Sequence, residues 1–380
     1  MDESGYGCPP EHDEYARCRG YLAMIRIRSL ILLAVTFSSA SLVLAGGAQA
    51  GTANRDVRGA SRSNPLAGLP WGVYTGTTPN GVYRHYQVAS GSERQLLGRI
   101  ALRPQAFWFG SWVTDGRAGS DARQYISNVT GGNPNVLAQI AIFRMDPWEG
   151  QACPSGRWSS ADQASYRAWI AGFAAGIGSS RVALVLQPDM PFAVCSHSQV
   201  PLTLINYSAR VFAALPHTTV YIDAGARYWP MPFSAAASML ERAGMRYARG
   251  FSLNTTEYDS TGAELEYGAH LARALAAAGY RNKHLVISTS ENGAPFLNGD
   301  YPGNVNWPRV CRNRHDRVCV TLGIPPTFQT SSRRWGLSAA DRALAARYAD
   351  AYLWVGSPWI DLSAGFDLKR ALGLAASTPF

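Results

Sequence analysis

Lysine is almost missing from this chain. Only Lys283 and Lys369 occur among 35 basic residues, so arginine carries nearly all of the positive charge. Charged residues of both signs make up 16%, and the formal excess of +9 is scattered rather than gathered into runs. A nucleic-acid surface needs its basic groups clustered on one face, so that class of partner is not expected. Nor is there a Walker-type phosphate loop, a recognition-helix pattern or a zinc-finger spacing. No Gly-x-Gly-x-x-Gly follows the first strand-like run, which argues against a dinucleotide-binding open sheet. No Cys/His spacing matches a zinc site, and no metal or organic cofactor is implied.

What is present is apolar and regular. Hydrophobic residues make up 47% of 380, enough for a sizeable core in one large domain or two ordinary ones. At the N-terminus, Arg26 and Arg28 precede the apolar run LILLAVTFSSASLVLA (30–45) and an A-x-A site ending at Ala50. That is the pattern of a secretory signal peptide over 24–50, with residues 1–23 an extension of the gene ahead of a true start at Met24. The run is short and broken by serines, so a cleaved leader is preferred over the alternative of an uncleaved membrane anchor. A mobile, Arg- and Ser/Gly-rich linker is expected over 51–63 and a single domain over 64–380. The mature protein is expected to be a monomer outside the cell or in its envelope.

Past the leader the cysteines are Cys153, Cys195, Cys311 and Cys319. An even set in an exported chain suggests disulfides, and three pairings are open to four cysteines. Cys311 and Cys319 are close enough in sequence to close one loop, which leaves Cys153 with Cys195.

Short apolar runs recur as IAIF (140–143), VALVLQ (182–187), TVYID (219–223), GFSLN (250–254), HLVIST (284–289) and AYLWV (351–355). They read as strands buried on both faces. Between them lie Ala-rich stretches with helical spacing, at 160–177, 201–215, 234–244, 262–279 and 338–351. Alternation of this kind predicts an α/β fold with a parallel sheet, closed as a TIM-like barrel. Chemistry should then sit at the carboxyl ends of the strands. The groups found there are Asp146, Glu149, Asp189, Asp223, Asn254, Glu257, Glu291 and Asp361. Carboxylates crowding one rim suit general acid–base work. Trp108, Trp112, Trp148, Trp229, Trp307 and Trp359 fall in the same loops. Indole faces stack on sugar rings while their N–H groups reach hydroxyls, so a Trp-lined acidic cleft points to carbohydrate.

Five segments in order, LVLQPDMPFAVC, VYIDAGARYW, GFSLNTTEY, LVISTSENG and WPRVCRNRHDRVCVTLGIPPT, resemble those of the family-6 glycoside hydrolases. That family consists of inverting cellulases and cellobiohydrolases on a distorted (β/α) barrel. The resemblance implies that Asp189 is the general acid, that Asp223 orders the site, and that Trp229 and Trp307 stack sugars. It also matches Cys153–Cys195 to a family disulfide that braces the loop behind the acid. Asn254 and Trp108 complete the expected substrate-binding set.

There are departures. Gln187 stands where the family has glutamate before Pro-Asp, Ala152 where it has an aspartate near the acid, and Phe143 where it has a tyrosine. The segment that carries the family's candidate base, Lys-Pro-Gly-Gly/Glu-x-Asp, is VGSPWIDLS here, with Gly356 at the lysine position. Asp361 is the nearest carboxylate to the missing base, and Glu149 is the candidate to replace the aspartate lost at 152. The expectation is a secreted hydrolase of β-1,4-glucan or a related polysaccharide, acting with inversion. An inverting pair of carboxyls stands about 6.5–9.5 Å apart to admit water. Two rivals are a polysaccharide-binding envelope protein with weakened catalysis and a hydrolase for a different glycan.

Overall fold

The computed structural model describes residues 63–76, 81–145, 158–194, 198–230, 233–361 and 364–380. The expected extension and leader lie outside these residues, as do Asp146, Trp148, Glu149, Ala152 and the Cys153–Cys195 pair.

Strands and helices alternate along the described chain. The strands are β1 (Phe107–Gly110), β2 (Ala138–Phe143), β3 (Val182–Leu186), β4 (Thr218–Asp223), β5 (Gly250–Leu253), β6 (His284–Ser288) and β7 (Ala349–Leu353). They pair in chain order as one seven-stranded sheet, and every pairing is parallel. Two helices, α1 (Val82–Val88) and α2 (Gly91–Ala101), precede β1. The connecting helices are α3 (Ala118–Thr130), α4 (Ser160–Ile177), α5 (Val200–Ala213), α6 (Phe233–Arg242), α7 (Thr261–Ala277) and α8 (Ala339–Tyr348). A small antiparallel hairpin of β8 (Ile360–Asp361) and β9 (Gly365–Phe366) leads into α9 (Leu368–Ser377).

Side-chain size explains the curl of the sheet. Residues on its inner face are mostly small, with Ala141, Ala183, Val185, Val286 and Ala351 in one buried cluster around Tyr221. Their neighbours in sequence, Ile140, Ile142, Leu184, Leu186, Ile222, Leu285 and Ile287, face outward and pack with the helices. Each such aliphatic group, fully buried, contributes about 1.5–3 kcal/mol. The barrel is curved but incompletely closed, because β1 and β7 share no ladder. Their seam is bridged by the Ala106 N–H on the Trp354 carbonyl at 2.9 Å and the Trp108 indole N–H on the Val355 carbonyl at 2.6 Å.

Local signals set several helix starts. Ser159 and Asp162 form a reciprocal capping box at the start of α4. Ser260, Ser338 and Asp367 each accept a backbone N–H at the starts of α7, α8 and α9. One boundary differs from expectation. The Ala-rich stretch read as helix over 338–351 stops at Tyr348, and β7 begins at Ala349. Asp350 decides this: its carboxylate is held by Arg249 at 2.8 Å and by Tyr221 at 2.7 Å, from the neighbourhood of β5 and from β4. Those tertiary contacts override the helical propensity of the alanines. Trp359, expected on the rim, is instead 1% exposed and packs with Trp354 in a second core against α2 and α9.

Candidate active site

The sharp end of β3 carries the principal acid candidate. Gln187 and Asp189 both adopt left-handed backbone, with φ of 55° and 61°, on either side of Pro188. Such a conformation costs a non-glycine residue about 1–2 kcal/mol and is tolerated best by Asp and Asn. It turns the chain off the strand within a few residues and leaves Asp189 at the barrel mouth, 5% exposed. The Thr256 hydroxyl, from the loop after β5, donates to Asp189 Oδ1 at 2.5 Å. Gln187 is itself buried, and its side-chain oxygen accepts the Met145 N–H at 3.2 Å, which ties the end of β2 to the end of β3.

Asp223 closes β4 and is fully buried. It accepts from the Gly225 N–H at 3.0 Å, the Ser252 hydroxyl at 3.1 Å and the Thr255 hydroxyl at 2.7 Å. Burial nevertheless pushes its carboxyl up to about 8, and the negative field of Asp189 adds to the rise, outweighing what the donors return. Two carboxylates in one field resist double ionisation, so this pair keeps a proton at neutral pH.

The tryptophans divide by surroundings. Trp229 ends a tight turn with Ala226, which exchanges backbone hydrogen bonds with it at 2.8 and 2.9 Å. Gly225, at φ 74°, makes that turn possible, since a side chain there would meet the Trp229 carbonyl. The Trp229 ring lies edge-on to Phe192, 4.9 Å away, in the short 3-10 turn that follows Asp189. Sequence-distant parts of the expected cleft therefore meet here. Trp307 has one face covered by the Arg370 guanidinium, 3.7 Å from its ring centre. Trp108 is half-buried, and its indole N–H is engaged by the Val355 carbonyl rather than held out for a hydroxyl.

Along the rest of the rim the roles are mixed. Asn254, also left-handed at φ 61°, is 2% exposed, and its amide serves the backbone of Asp259 and Ser288. Glu257 accepts the Tyr228 hydroxyl at 2.7 Å, and Arg227 pairs with Asp259 at 2.7 Å. Behind them Glu264 is fully buried and is pushed well above the usual carboxylate range by that burial. Its Oε1 accepts the Arg227 N–H at 3.0 Å. After β6, the Glu291 carboxylate lies against the α-carbon of the buried Gly356, beyond β7. Asp361 sits in the β8–β9 hairpin and accepts the Ala364 N–H of its own turn at 3.0 Å. Cys311 and Cys319 are bonded, as the spacing predicts.

Comparison with known proteins agrees with this geometry. The family model described as "Glycosyl hydrolases family 6" matches residues 77–358, most of the chain. The chain belongs to glycosyl hydrolase family 6. Endoglucanase A of Cellulomonas fimi is 32% identical over 225 residues, covering 58% of this chain and 47% of that protein. Endoglucanase 1 of Streptomyces halstedii is 32% identical over 209 residues, covering 53% of this chain and 63% of that one. The chain thus spans less than two thirds of the length of these curated relatives. Among solved structures, the endoglucanase Cel6 of Mycobacterium tuberculosis, in complex with methyl-cellobiosyl-4-deoxy-4-thio-β-D-cellobioside, superposes with a TM-score of 0.62 at 26% identity. That match covers 82% of this chain and 98% of the other. The catalytic core of the cellobiohydrolase Cel6A from Chaetomium thermophilum shares the fold, with a TM-score of 0.61 at 17% identity over 83% of this chain and 99% of that one.

Within this family-6 barrel, sequence reasoning overlooked Thr256, which touches Asp189, and Arg370, which covers Trp307. Thr256 carried a usable signal, since it lies just past a strand end in the NTTEY segment. Arg370 carried none, because it belongs to a helix outside the strand–helix alternation. Among the described residues no helix is long and apolar enough to cross a membrane.

Proposed function

We propose that this family-6 chain hydrolyses a β-1,4-linked glucan or a related polysaccharide in a single displacement with inversion. The observation that carries the reading is the placement of Asp189: a carboxyl at the end of β3, aimed by the Thr256 hydroxyl, beside the buried Asp223. Asp189 protonates the glycosidic oxygen as the bond to the anomeric carbon breaks, while a second carboxylate draws a proton from water on the opposite ring face. Asp223 lies buried within the field of Asp189, and Trp229 packs against Phe192 in the turn that follows the acid. The names of the endoglucanase relatives, and the thio-β-D-cellobioside bound in the Mycobacterium tuberculosis structure, support a β-glucan as substrate. The leader-like pattern over 24–50 supports action outside the cell or in its envelope.

The test is to hydrolyse a soluble β-glucan with the purified chain and follow the anomeric protons of the fresh product by NMR. The α-anomer is expected first. A β-anomer would exclude single displacement, and binding without release would favour the sugar-binding rival.

A further inference from the structure

The segment VGSPWIDLS, where the resemblance leads one to expect the base, has Asp361 as its carboxylate, and Asp361 accepts the Ala364 N–H of its own hairpin turn. We infer that Glu291 is the carboxylate that activates water in this chain. The inference rests on the hydrolase reading above and names the base of that reaction.

Position comes first. The ends of β6 and β7 are joined just beyond the ladder by the Thr289 N–H on the Leu353 carbonyl at 2.8 Å. The Val355 N–H adds a second link, to the Ser288 hydroxyl at 3.3 Å. This fixes the loop carrying Ser290 and Glu291 directly against Val355 and Gly356. A Cβ on Gly356 would collide with Glu291 Oε1 and would stand 2.9 Å from the Ser290 hydroxyl oxygen. The backbone here accommodates a carboxylate in the room that a side chain would take.

The neighbours are those that a base needs. Val355, one residue before Gly356, accepts the Trp108 indole N–H, so Glu291 and Trp108 belong to the same wall of the mouth. Asp189 and Trp229 belong to the β3–β4 wall. The sheet order sets β3 and β6, the strands that lead to Asp189 and Glu291, well apart around the curve, which suits groups that act on opposite faces of one sugar ring. Arg370 lies within the electrostatic reach of Glu291, and the attraction counters the burial that would otherwise weaken the guanidinium's hold on its proton. Arg370 thus places a positive charge near the proposed base.

In the step, the water oxygen bonds to the anomeric carbon as one of its protons passes to Glu291. The bond from that carbon to the leaving oxygen breaks, and the leaving oxygen takes the proton of Asp189. One water is consumed, and exchange with solvent returns both carboxyls to their starting states.

The experiment compares Glu291→Gln, Glu291→Ala and Asp361→Asn with the parent on a soluble β-glucan, the alanine variant with and without sodium azide. Loss of a general base lowers kcat by about 10²–10⁴-fold, so Glu291→Gln should show that loss with KM changed by less than about threefold. Azide needs no deprotonation, so it should restore turnover of Glu291→Ala and yield an α-glycosyl azide, which only a folded enzyme can form. Retention of kcat within about threefold in Glu291→Gln overturns the inference and leaves the hydrolase reading standing. Loss confined to Asp361→Asn does the same. A parent that releases no sugar overturns both, and the parent measurement alone identifies that case.

Discussion

The Thr256 hydroxyl, beyond β5, reaches past the end of β4 to donate to the Asp189 carboxylate, beyond β3, at 2.5 Å. A donor to the charged form of an acid holds its direction and also eases loss of its proton. Such a bond to a charged group contributes about 1.5–3 kcal/mol. Replacing Thr256 by Val keeps the shape and removes the donor. The alkaline limb of the rate profile should then move to higher pH, and kcat should fall. Superimposable pH profiles for parent and Thr256→Val would show that the contact does not act on the acid.

Asp189→Asn removes the assigned proton donor. On a natural glucan kcat should fall by about 10²–10⁴-fold with KM little changed. A nitrophenyl glycoside, whose leaving group needs no proton, should lose far less. Equal losses on both substrates would point to a structural role.

Asp223 gives a prediction for stability against pH. Its carboxyl titrates near 8 in the folded chain because of burial and the field of Asp189, against 3.8 as its ordinary value. Between those values the unfolded chain loses a proton that the folded chain keeps. Stability from this group is therefore present below pH 4 and declines as pH rises towards 8, by about 1.4 kcal/mol per pH unit at most. Asp223→Asn abolishes the titration. The thermal midpoint of the variant should fall less steeply than the parent's between pH 5 and about pH 7. Parallel slopes would place the buried proton elsewhere.

At the opposite end of the barrel, Asp350 is 1% exposed and is held by Arg249, His284 and Tyr221. Burial opposes its ionisation, yet His284 and Arg249 outweigh that and hold its carboxyl below the usual range. Asp350→Ala removes the buried carboxylate that holds the Arg249 guanidinium, and breaking a buried pair in this way typically costs about 3–5 kcal/mol. Urea unfolding should show this loss, while kcat at low temperature stays near the parent's. A loss of kcat without a loss of stability would move Asp350 into the chemistry.

Much of the barrel was legible in the sequence because its strands are buried on both faces. Such strands read as unbroken apolar runs, and those of β2 to β6 fall within a residue or two of their expected bounds. β1 escaped because FWFG is short and aromatic, with no flanking alternation to mark it. β7 was displaced because Ala349 and Ala351 continue the Ala-rich pattern of α8, while the distant Arg249 and Tyr221 hold Asp350 in a strand. Within the site, strand ends located Asp189 and Asp223. What side chains do to one another was not legible. Nothing in NTTEY says that Thr256 touches Asp189, and a lone Glu291 on a rim rich in carboxylates carries no mark until Gly356 is seen beneath it. Trp359 illustrates the reverse: its loop position resembled a cleft residue, while its indole completes a core.

An open barrel has two outer edges, and a bare strand edge is a template on which another chain can add. Here β7 is covered from outside: the Thr327 N–H donates to the Tyr352 carbonyl and the Tyr352 N–H to the Thr327 carbonyl, both at 2.9 Å. The segment around Thr327 thus occupies ladder positions that a stray strand would seek. The barrel can thus stay open beside β7 without offering the Tyr352 position of that edge to another chain.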